Sequence, residues 1–262
     1  MTPRLLSERR GAVLLLRISN PAARNALHPD IYSAGLAAIA AADDDPQIGA
    51  IVIAGEGATF CAGGNVQRLR ESRERGDRDA QRRSIDALHA WVAALHRCGK
   101  PVIAAVEGAA AGAGCSLAFA CDLLVAADDA RFVMAYVRIG LTPDGGGTLA
   151  LLERLPYPLA YELIATGEPI GAQRLHALGV VNRLVPRERA LDEALQWADQ
   201  LAAGPRRTLS RAKALLRSAD AERWQRQLQA ERESFVESLF DADAGEGISA
   251  FLDKRAAQFD RS

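Results

Sequence analysis

Short apolar runs rich in β-branched residues alternate with longer helical patterns along the first two thirds of the chain. The apolar runs cover residues 12–19, 49–55, 101–108, 122–127 and 180–185. Helical patterns occupy residues 29–43, 80–98, 114–121 and 158–167. Strands that are apolar on both faces and separated by helices are typical of buried, largely parallel sheets. The alternation therefore predicts an α/β fold, either a sheet spiral or a doubly wound sheet.

The last quarter of the chain has a different pattern. Strand signals stop after about residue 187, and helical patterns follow, among them 221–240 and 245–257. Apolar residues recur within them at Leu228, Phe235, Leu239, Phe251 and Phe259. These side chains can pack on the chain's own core or form a subunit interface, and the pattern leaves both readings open. We expect the chain to assemble through this region.

Composition excludes several classes of function. Of the 262 residues, 49% are hydrophobic and the net charge is -1, so the chain offers no broad field for nucleic acid or an anionic membrane. No apolar stretch reaches the roughly 18 residues of a membrane span, and the N-terminal apolar run is too short for a secretory signal. Four cysteines without a CxxC pair are expected to be reduced, buried thiols. These features predict a cytoplasmic protein.

The segment 68–84 is dense in charges of both signs and is interrupted by a glycine. We interpret it as a mobile or solvated surface loop that runs into the next helix.

Two loops of small residues each follow a predicted strand and precede a possible helix, at 60–69 and at 108–118. The second is not a dinucleotide loop, because the third glycine of GxGxxG would fall at Leu117. Each loop alone fits a tight strand-to-helix turn. Together, their bare backbone N–H groups can converge on one carbonyl oxygen and form an oxyanion hole.

A third turn, GLTPDGGGT at residues 140–148, holds one carboxylate, Asp144, beside three glycines. Aspartate is a good N-cap, and a helix over 147–154 would accept one. The glycines also suggest that a ligand approaches closely. Both a helix cap and a catalytic acid or base therefore fit Asp144, and we favour the catalyst.

The chain resembles the crotonase, or enoyl-CoA hydratase/isomerase, superfamily. The resemblance is carried by collinear segments along nearly the whole sequence: NPAARNAL (20–27), TFCAGGN (59–65), AAVEGAAAGAGCSLAFACDLLVAADDARF (104–132), IGLTPDGGGT (139–148), ATGEPIGAQRLHALGVVNRLV (165–185) and ISAFLDKR (248–255).

This resemblance implies a spiral of ββα units with a C-terminal helical region, assembled as a homotrimer or a dimer of trimers. It also implies an acyl-CoA thioester as substrate, with coenzyme A as part of the substrate and no prosthetic group or metal. We accordingly divide the chain into a spiral core over 1–195, which holds the acyl-CoA site, and a helical oligomerisation region over 196–262.

By resemblance, the backbone N–H groups of Gly64 and Ala113 are the two donors to the thioester oxygen. The superfamily often has aspartate where this chain has Asn65, which we interpret as a structural substitution. Hydratases of the superfamily carry two catalytic glutamates, whose positions correspond here to Ser116 and Tyr136. A pair of hydroxyls with ordinary pKa values is a poor substitute for activating water, so ordinary hydratase activity is not expected.

Contacts to coenzyme A also transfer by position. Arg24 and Lys254 match basic residues near the phosphates, although a solvated surface charge explains both equally well. Ala26 and Ala62 match backbone contacts to adenine and pantetheine, and Phe251 matches an aromatic residue near the adenine.

The resulting hypothesis is an acyl-CoA isomerase in which Asp144 moves a proton between two carbons of an enolate held in the oxyanion hole. Rearrangement of a ring on the acyl group would use the same residues. Two alternatives remain: a weak enoyl-CoA hydratase, and a non-catalytic acyl-CoA-binding protein.

Overall fold

In the computed structural model of the protein, residues 2–219 and 221–259 are described. Nine strands lie in this part of the chain. They are β1 (Arg4–Arg10), β2 (Val13–Ser19), β3 (Ala50–Gly55), β4 (Val102–Val106), β5 (Ala109–Ala111), β6 (Leu123–Ala127), β7 (Arg131–Val133), β8 (Ile170–Gly171) and β9 (Arg183–Val185). The five predicted strands are confirmed as β2, β3, β4, β6 and β9.

Six of the strands form the main sheet, in the order β1-β2-β3-β4-β6-β9. Strand β1 pairs antiparallel with β2, and every other pair in this sheet is parallel. A smaller sheet has the order β5-β7-β8. The chain passes from β4 into β5 and from β6 into β7, so successive units contribute to both sheets in turn. The predicted α/β fold with largely parallel strands is confirmed.

Strands β1, β5, β7 and β8 were not predicted. Half-exposed β1 carries four charged residues in RLLSERR, so it lacks an apolar run. Strand β5 consists of three alanines inside the second small-residue loop, and β7 and β8 are only three and two residues long. Such short segments adopt strand geometry because they pair with neighbouring strands, and this pairing cannot be predicted from the local sequence pattern.

Eleven α-helices lie in the described residues. They are α1 (Pro29–Asp44), α2 (Val66–Arg75), α3 (Arg78–Arg97), α4 (Ala113–Ala120), α5 (Gly147–Arg154), α6 (Tyr157–Thr166), α7 (Ala172–Ala177), α8 (Ala190–Ala203), α9 (Arg206–Ser218), α10 (Ala221–Phe240) and α11 (Ala242–Leu252). A 3-10 helix, Ala135–Ile139, precedes the turn that holds Asp144. The predicted helices are confirmed within a few residues, except that α11 ends five residues before the predicted 257.

The predicted surface loop at 68–84 is wrong, because this segment forms most of α2 and the start of α3. Asn65 begins α2 by accepting a hydrogen bond from the Arg68 N–H, which confirms its structural role. Gly76 ends the helix with a positive φ of 67°, and Asp77 then caps α3. Arg73 Nη1 also donates to the carbonyl of Leu239 in α10 at 2.8 Å. Capping and tertiary contact thus override the charged composition.

The main sheet is covered on both faces. One face packs against α1, α3 and α4, and its buried side chains include Leu16, Ile18 and Ile53. The other face packs against α8, whose buried alanines recur every four residues from Ala190 to Ala202. These small side chains allow the helix to lie close to the strands. All four cysteines are buried, unpaired thiols, as predicted.

In the C-terminal helices, Leu228, Phe235 and Leu239 are buried within the chain's own core. Phe251 and Phe259 remain exposed, as do Leu215 and Leu216 on α9, the last two at 75% and 80%. Helix α8 continues through the boundary placed between 195 and 196, so the two regions share an element. Among the described helices, none is long and apolar enough to cross a membrane.

Candidate active site

The two small-residue loops lie against each other. Cys61 N donates to the carbonyl of Ala109, and Ala111 N donates to the carbonyl of Cys61, so the loops pair as short parallel segments. A Cβ on Gly114 would lie 2.7 Å from Cys61 Sγ, and one on Gly63 would lie 2.6 Å from the carbonyl oxygen of Ala111. Only glycine allows this approach, and Gly63 also has a φ of 93°. Gly63 and Gly114, which the sequence analysis assigned to ligand access, are therefore needed for the contact between the two loops.

This contact places Gly64 and Ala113 in the wall of one cavity. Ala113 is the first residue of α4, where a backbone N–H has no partner within the helix. Within residues 2–219 and 221–259, neither N–H has an acceptor. Two unpaired donors, one of them at a helix N-terminus, suit an oxygen that gains negative charge.

Both residues line a cavity of about 310 Å³. Of the eight predicted site residues, five line it: Ala62, Gly64, Ala113, Asp144 and Phe251. Its walls come from the two loops, α2, α3, the 3-10 helix and α10. Apolar side chains such as Leu69, Leu141 and Phe235 contribute much of the surface. The cavity is large enough for an acyl chain beside a thioester.

Asp144 is 7% exposed and is the one carboxylate among the described lining residues. Its Oδ1 accepts a hydrogen bond of 2.7 Å from the Tyr136 hydroxyl. Burial raises the pKa of Asp144 to about 6, although the Tyr136 hydrogen bond opposes that shift. Asp144 is thus a largely desolvated carboxyl group in the cavity wall.

The side chain of Asp144 does not cap α5. Glu231, on α10, takes that role: its carboxylate accepts from the N–H groups of Gly146, at 2.7 Å, and Thr148, at 2.9 Å. The Thr148 hydroxyl also donates to Glu231. His89 Nε2 accepts from the N–H of Gly145 at 3.1 Å, and burial lowers the pKa of this histidine to about 4, so it is neutral. Glu231 and His89 therefore stabilise the glycine turn, and the Asp144 side chain is not needed for that role and can face the cavity.

The residues at the positions of the hydratase glutamates also meet here. Tyr136 OH lies 3.1 Å from Ser116 Oγ and donates to Asp144, so the three side chains form one buried chain. Burial raises the pKa of Tyr136 well above its usual value, and the Asp144 charge adds to the rise. Tyr136 is therefore a neutral hydrogen-bond donor, and Asp144 is the group of the three that titrates near neutral pH.

The residues predicted to contact coenzyme A are partly brought together. The carbonyl of Arg24 accepts from Ala62 N, and Leu27 N donates to the carbonyl of Gly63, so the segment 24–27 lies along the first small-residue loop. Ala26 is buried there, while the side chain of Arg24 is exposed. Phe251 is 53% exposed at the cavity, and exposed Lys254 lies outside the lining.

Sequence reasoning missed Glu231 and His89. Each interrupts the apolar face of a helix: Glu231 lies between Leu228 and Phe235, and His89 follows Leu88. A charged or polar residue at a core position of an amphipathic helix indicates a buried partner. That signal was present in the sequence, but it does not name the partner, because the turn at 144–148 lies far away along the chain.

The chain is similar to known proteins over nearly its whole length. The family model for enoyl-CoA hydratase/isomerase matches residues 8–262. The 2,3-dehydroadipyl-CoA hydratase of Escherichia coli is 36% identical over 255 residues, which cover 97% of this chain and 98% of that protein. A crystal structure of an enoyl-CoA hydratase from a Polaromonas species is 50% identical, covers 98% of this chain and 100% of its own, and superposes with a TM-score of 0.81.

A second enoyl-CoA hydratase structure, from Mycobacterium avium subsp. paratuberculosis, is 26% identical, with 98% of both chains covered and a TM-score of 0.88. The predicted fold, a spiral of ββα units followed by a helical region, is thereby confirmed.

Proposed function

The chain belongs to the enoyl-CoA hydratase/isomerase family, and we propose that it is an acyl-CoA isomerase that moves a double bond through a thioester enolate. One observation carries the proposal. Among the described residues that line the cavity, a single carboxylate, Asp144, accompanies the paired N–H donors of Gly64 and Ala113. A shift of one proton between two carbons needs one such group.

In the proposed reaction, the thioester oxygen of a 3-enoyl-CoA accepts hydrogen bonds from Gly64 N–H and Ala113 N–H. The Asp144 carboxylate removes a proton from the α-carbon, and the electron pair moves onto the thioester oxygen, which gives the dienolate. Protonated Asp144 then delivers the same proton to the γ-carbon. The electrons return from oxygen, and the double bond lies between the α- and β-carbons.

The pKa of Asp144 suits both halves of this cycle. With a pKa of about 6, the group is mainly ionised at neutral pH and can accept the proton. Its conjugate acid is a weaker acid than an ordinary aspartic acid, but it remains strong enough to protonate a dienolate. Tyr136, which donates to Oδ1, fixes the carboxylate and leaves the other oxygen for the substrate.

A weak hydratase is the second candidate, since the relatives described above are named hydratases. Addition of water would use Asp144 as the base and the Ser116–Tyr136 chain to hold the water. A 3-enoyl-CoA and a 2-enoyl-CoA of equal chain length, assayed side by side, separate the candidates. Isomerisation without hydration supports the proposal, hydration of the 2-enoyl-CoA supports the alternative, and binding without turnover of either indicates a non-catalytic member.

At the coenzyme A end, we propose that Arg24 and Lys254 approach the phosphates, that Ala26 and Ala62 offer backbone contacts, and that Phe251 lies near the adenine. If so, Arg24→Ala and Lys254→Ala weaken binding of coenzyme A thioesters and reduce its salt dependence, because phosphate contacts at exposed sites are screened. Unchanged affinity in both variants identifies ordinary surface charges.

We also propose assembly through residues 196–262 into a homotrimer or a dimer of trimers. The exposed Leu215, Leu216 and Phe251 are candidates for the interface. Sedimentation at micromolar concentration tests this, and a monomer would contradict it.

A further inference from the structure

Two arginines of the cavity wall, Arg68 and Arg75, have no ion pair in the described residues, and Arg68 also has a buried guanidinium nitrogen. The Nη1 atom of Arg68 is buried and has no hydrogen-bond acceptor within residues 2–219 and 221–259. Over the same residues, Arg68 forms no ion pair, whereas Arg138, another arginine of the lining, is paired with Glu168 at 2.7 Å. A buried guanidinium N–H without an acceptor costs free energy. Arg17 Nε and Arg70 Nε are buried without acceptors as well, but of these three arginines only Arg68 lines the cavity, so an acceptor for its guanidinium is expected from whatever fills the cavity.

Arg68 lines the cavity from the first turn of α2, and Gly64, which precedes the helix N-cap Asn65, lines the same cavity. Burial raises the pKa of the Tyr32 hydroxyl. The charge of Asp144 adds to this rise and the charge of Arg68 opposes it, so both side chains lie near Tyr32. The guanidinium thus lies near the reacting region without pairing to its carboxylate.

The neighbours of Arg68 in the cavity wall are polar as well. Ser72 lies one turn further along α2, and Gln81 and Ser84 occupy one face of α3. Ser72 and Gln81 are only 6% and 8% exposed. In the described part of the chain, none of the three side chains has a hydrogen-bond partner. A purely hydrocarbon acyl chain would leave all these groups and the Arg68 guanidinium unsatisfied.

Resting on the proposed function of the same site, we infer that Arg68 binds an anionic group on the acyl chain, so the substrate is a coenzyme A monothioester of a dicarboxylic acid. The distal carboxylate accepts from the guanidinium, and Ser72, Gln81 and Ser84 are placed to donate to it. A phosphate of coenzyme A offers the same anionic chemistry, and the experiment separates the two sources.

The test measures binding of saturated thioesters by calorimetry, so that its outcome does not depend on turnover or on Asp144. Adipyl-CoA and hexanoyl-CoA have equal chain length and differ in the terminal carboxylate. The parent is expected to bind adipyl-CoA about 10- to 100-fold more tightly, as for a charge-assisted hydrogen bond. Arg68→Met is expected to lose that preference and to keep its affinity for hexanoyl-CoA.

Arg70→Met is the matched control. It removes the same charge from the same helix at a residue outside the cavity, whose Nε is also buried without a hydrogen-bond acceptor and lies 3.7 Å from Glu74. It should keep the preference for adipyl-CoA. Adipyl- and hexanoyl-pantetheine, which lack the nucleotide phosphates, should show the same ratio as the full thioesters.

The inference is overturned if the parent does not prefer adipyl-CoA. It is also overturned if Arg68→Met weakens both coenzyme A thioesters equally and leaves the pantetheine thioesters unchanged, which would assign Arg68 to a phosphate. A failure of isomerase activity with the preference intact would instead reject the proposed reaction alone.

Discussion

Asp144 and Glu231 are the two buried carboxylates in the described residues, and both lie at one turn: Asp144 is part of it, and Glu231 contacts it from α10. Glu231 accepts from two backbone N–H groups and one hydroxyl, so its oxygens are occupied by the start of α5. Asp144 accepts one side-chain hydrogen bond, from Tyr136, and lines the cavity. The contrast separates a carboxylate that holds the backbone from one that remains available to a ligand.

The pKa values alone do not distinguish the two carboxyl groups. Burial raises the pKa of Asp144 to about 6 and that of Glu231 to about 7, and the Asp144 charge adds to the second shift. Both carboxyl groups thus have a raised pKa, although Glu231 lies outside the cavity lining. A perturbed pKa therefore marks a buried carboxylate, while access to the cavity decides which one can take part in chemistry.

The largest expected effect is the loss of isomerisation in Asp144→Asn. Asparagine has nearly the same shape and can accept the Tyr136 hydrogen bond, but it cannot accept the substrate proton. A positioned acid/base group contributes about 10² to 10⁴-fold in rate, and we expect kcat to fall by that factor with thioester binding retained. Steady-state kinetics and calorimetry check both parts. Full turnover in the variant would remove Asp144 from the mechanism.

Glu231→Ala should show the opposite balance, with a large effect on stability and a smaller one on rate. The substitution leaves two N–H groups at the start of α5 without their acceptor, and each buried unsatisfied group costs about 1 to 3 kcal/mol. We expect the free energy of unfolding to fall by about 2 to 6 kcal/mol in urea titrations. Thr148→Ala, which removes only the hydroxyl, should cost less. If Glu231→Ala lowers kcat as far as Asp144→Asn does while it stays folded, the distinction fails.

The same contrast shows what the sequence could reveal. The resemblance to the superfamily singled out the N–H groups of Gly64 and Ala113 as donors. The two loops that hold them were predictable from local pattern, because small residues after a strand and before a helix have a local signature. The strands β2, β3, β4, β6 and β9 were predictable for the same reason, since continuous apolar runs record burial on both faces.

The surroundings of Asp144 were not predictable from local pattern. Tyr136, His89 and Glu231 come from the 3-10 helix, α3 and α10, and only the packed fold places them around one turn. Arg68 shows the converse error: its charge-rich segment resembled a surface loop, but capping by Asn65 makes it a helix whose one face lines the cavity. Composition does not record which face of a charged helix is covered.

The stability of Asp144→Asn should depend on pH. The pKa of Asp144 rises from 3.8 to about 6 on folding, so the folded state holds the proton more tightly than the unfolded state. Burial of the charge therefore costs stability above pH 6 and costs little below pH 4. We expect the variant to gain about 2 kcal/mol relative to the parent between pH 4.5 and pH 8. Urea titrations at both pH values measure it, and a constant difference would show that Asp144 is not desolvated.

The smallest expected effect belongs to Tyr136→Phe, which asks whether Tyr136 tunes Asp144 or transfers a proton itself. The Tyr136 hydroxyl stabilises the ionised carboxylate, so its removal should raise the pKa of Asp144 further. Loss of one hydrogen bond to a charged group corresponds to about one pH unit or slightly more. The midpoint of the kcat/KM profile should move from about 6 toward 7, with kcat/KM about 5- to 10-fold lower at pH 6 and near the parent's at pH 9.

Ser116→Ala removes only the neighbour of Tyr136 and should shift this midpoint by a smaller amount. A rate that stays low at pH 9 would show that the Tyr136 proton itself takes part. An unchanged midpoint would mean that the titrating group is not Asp144. The carboxylate available to the substrate would then be another residue.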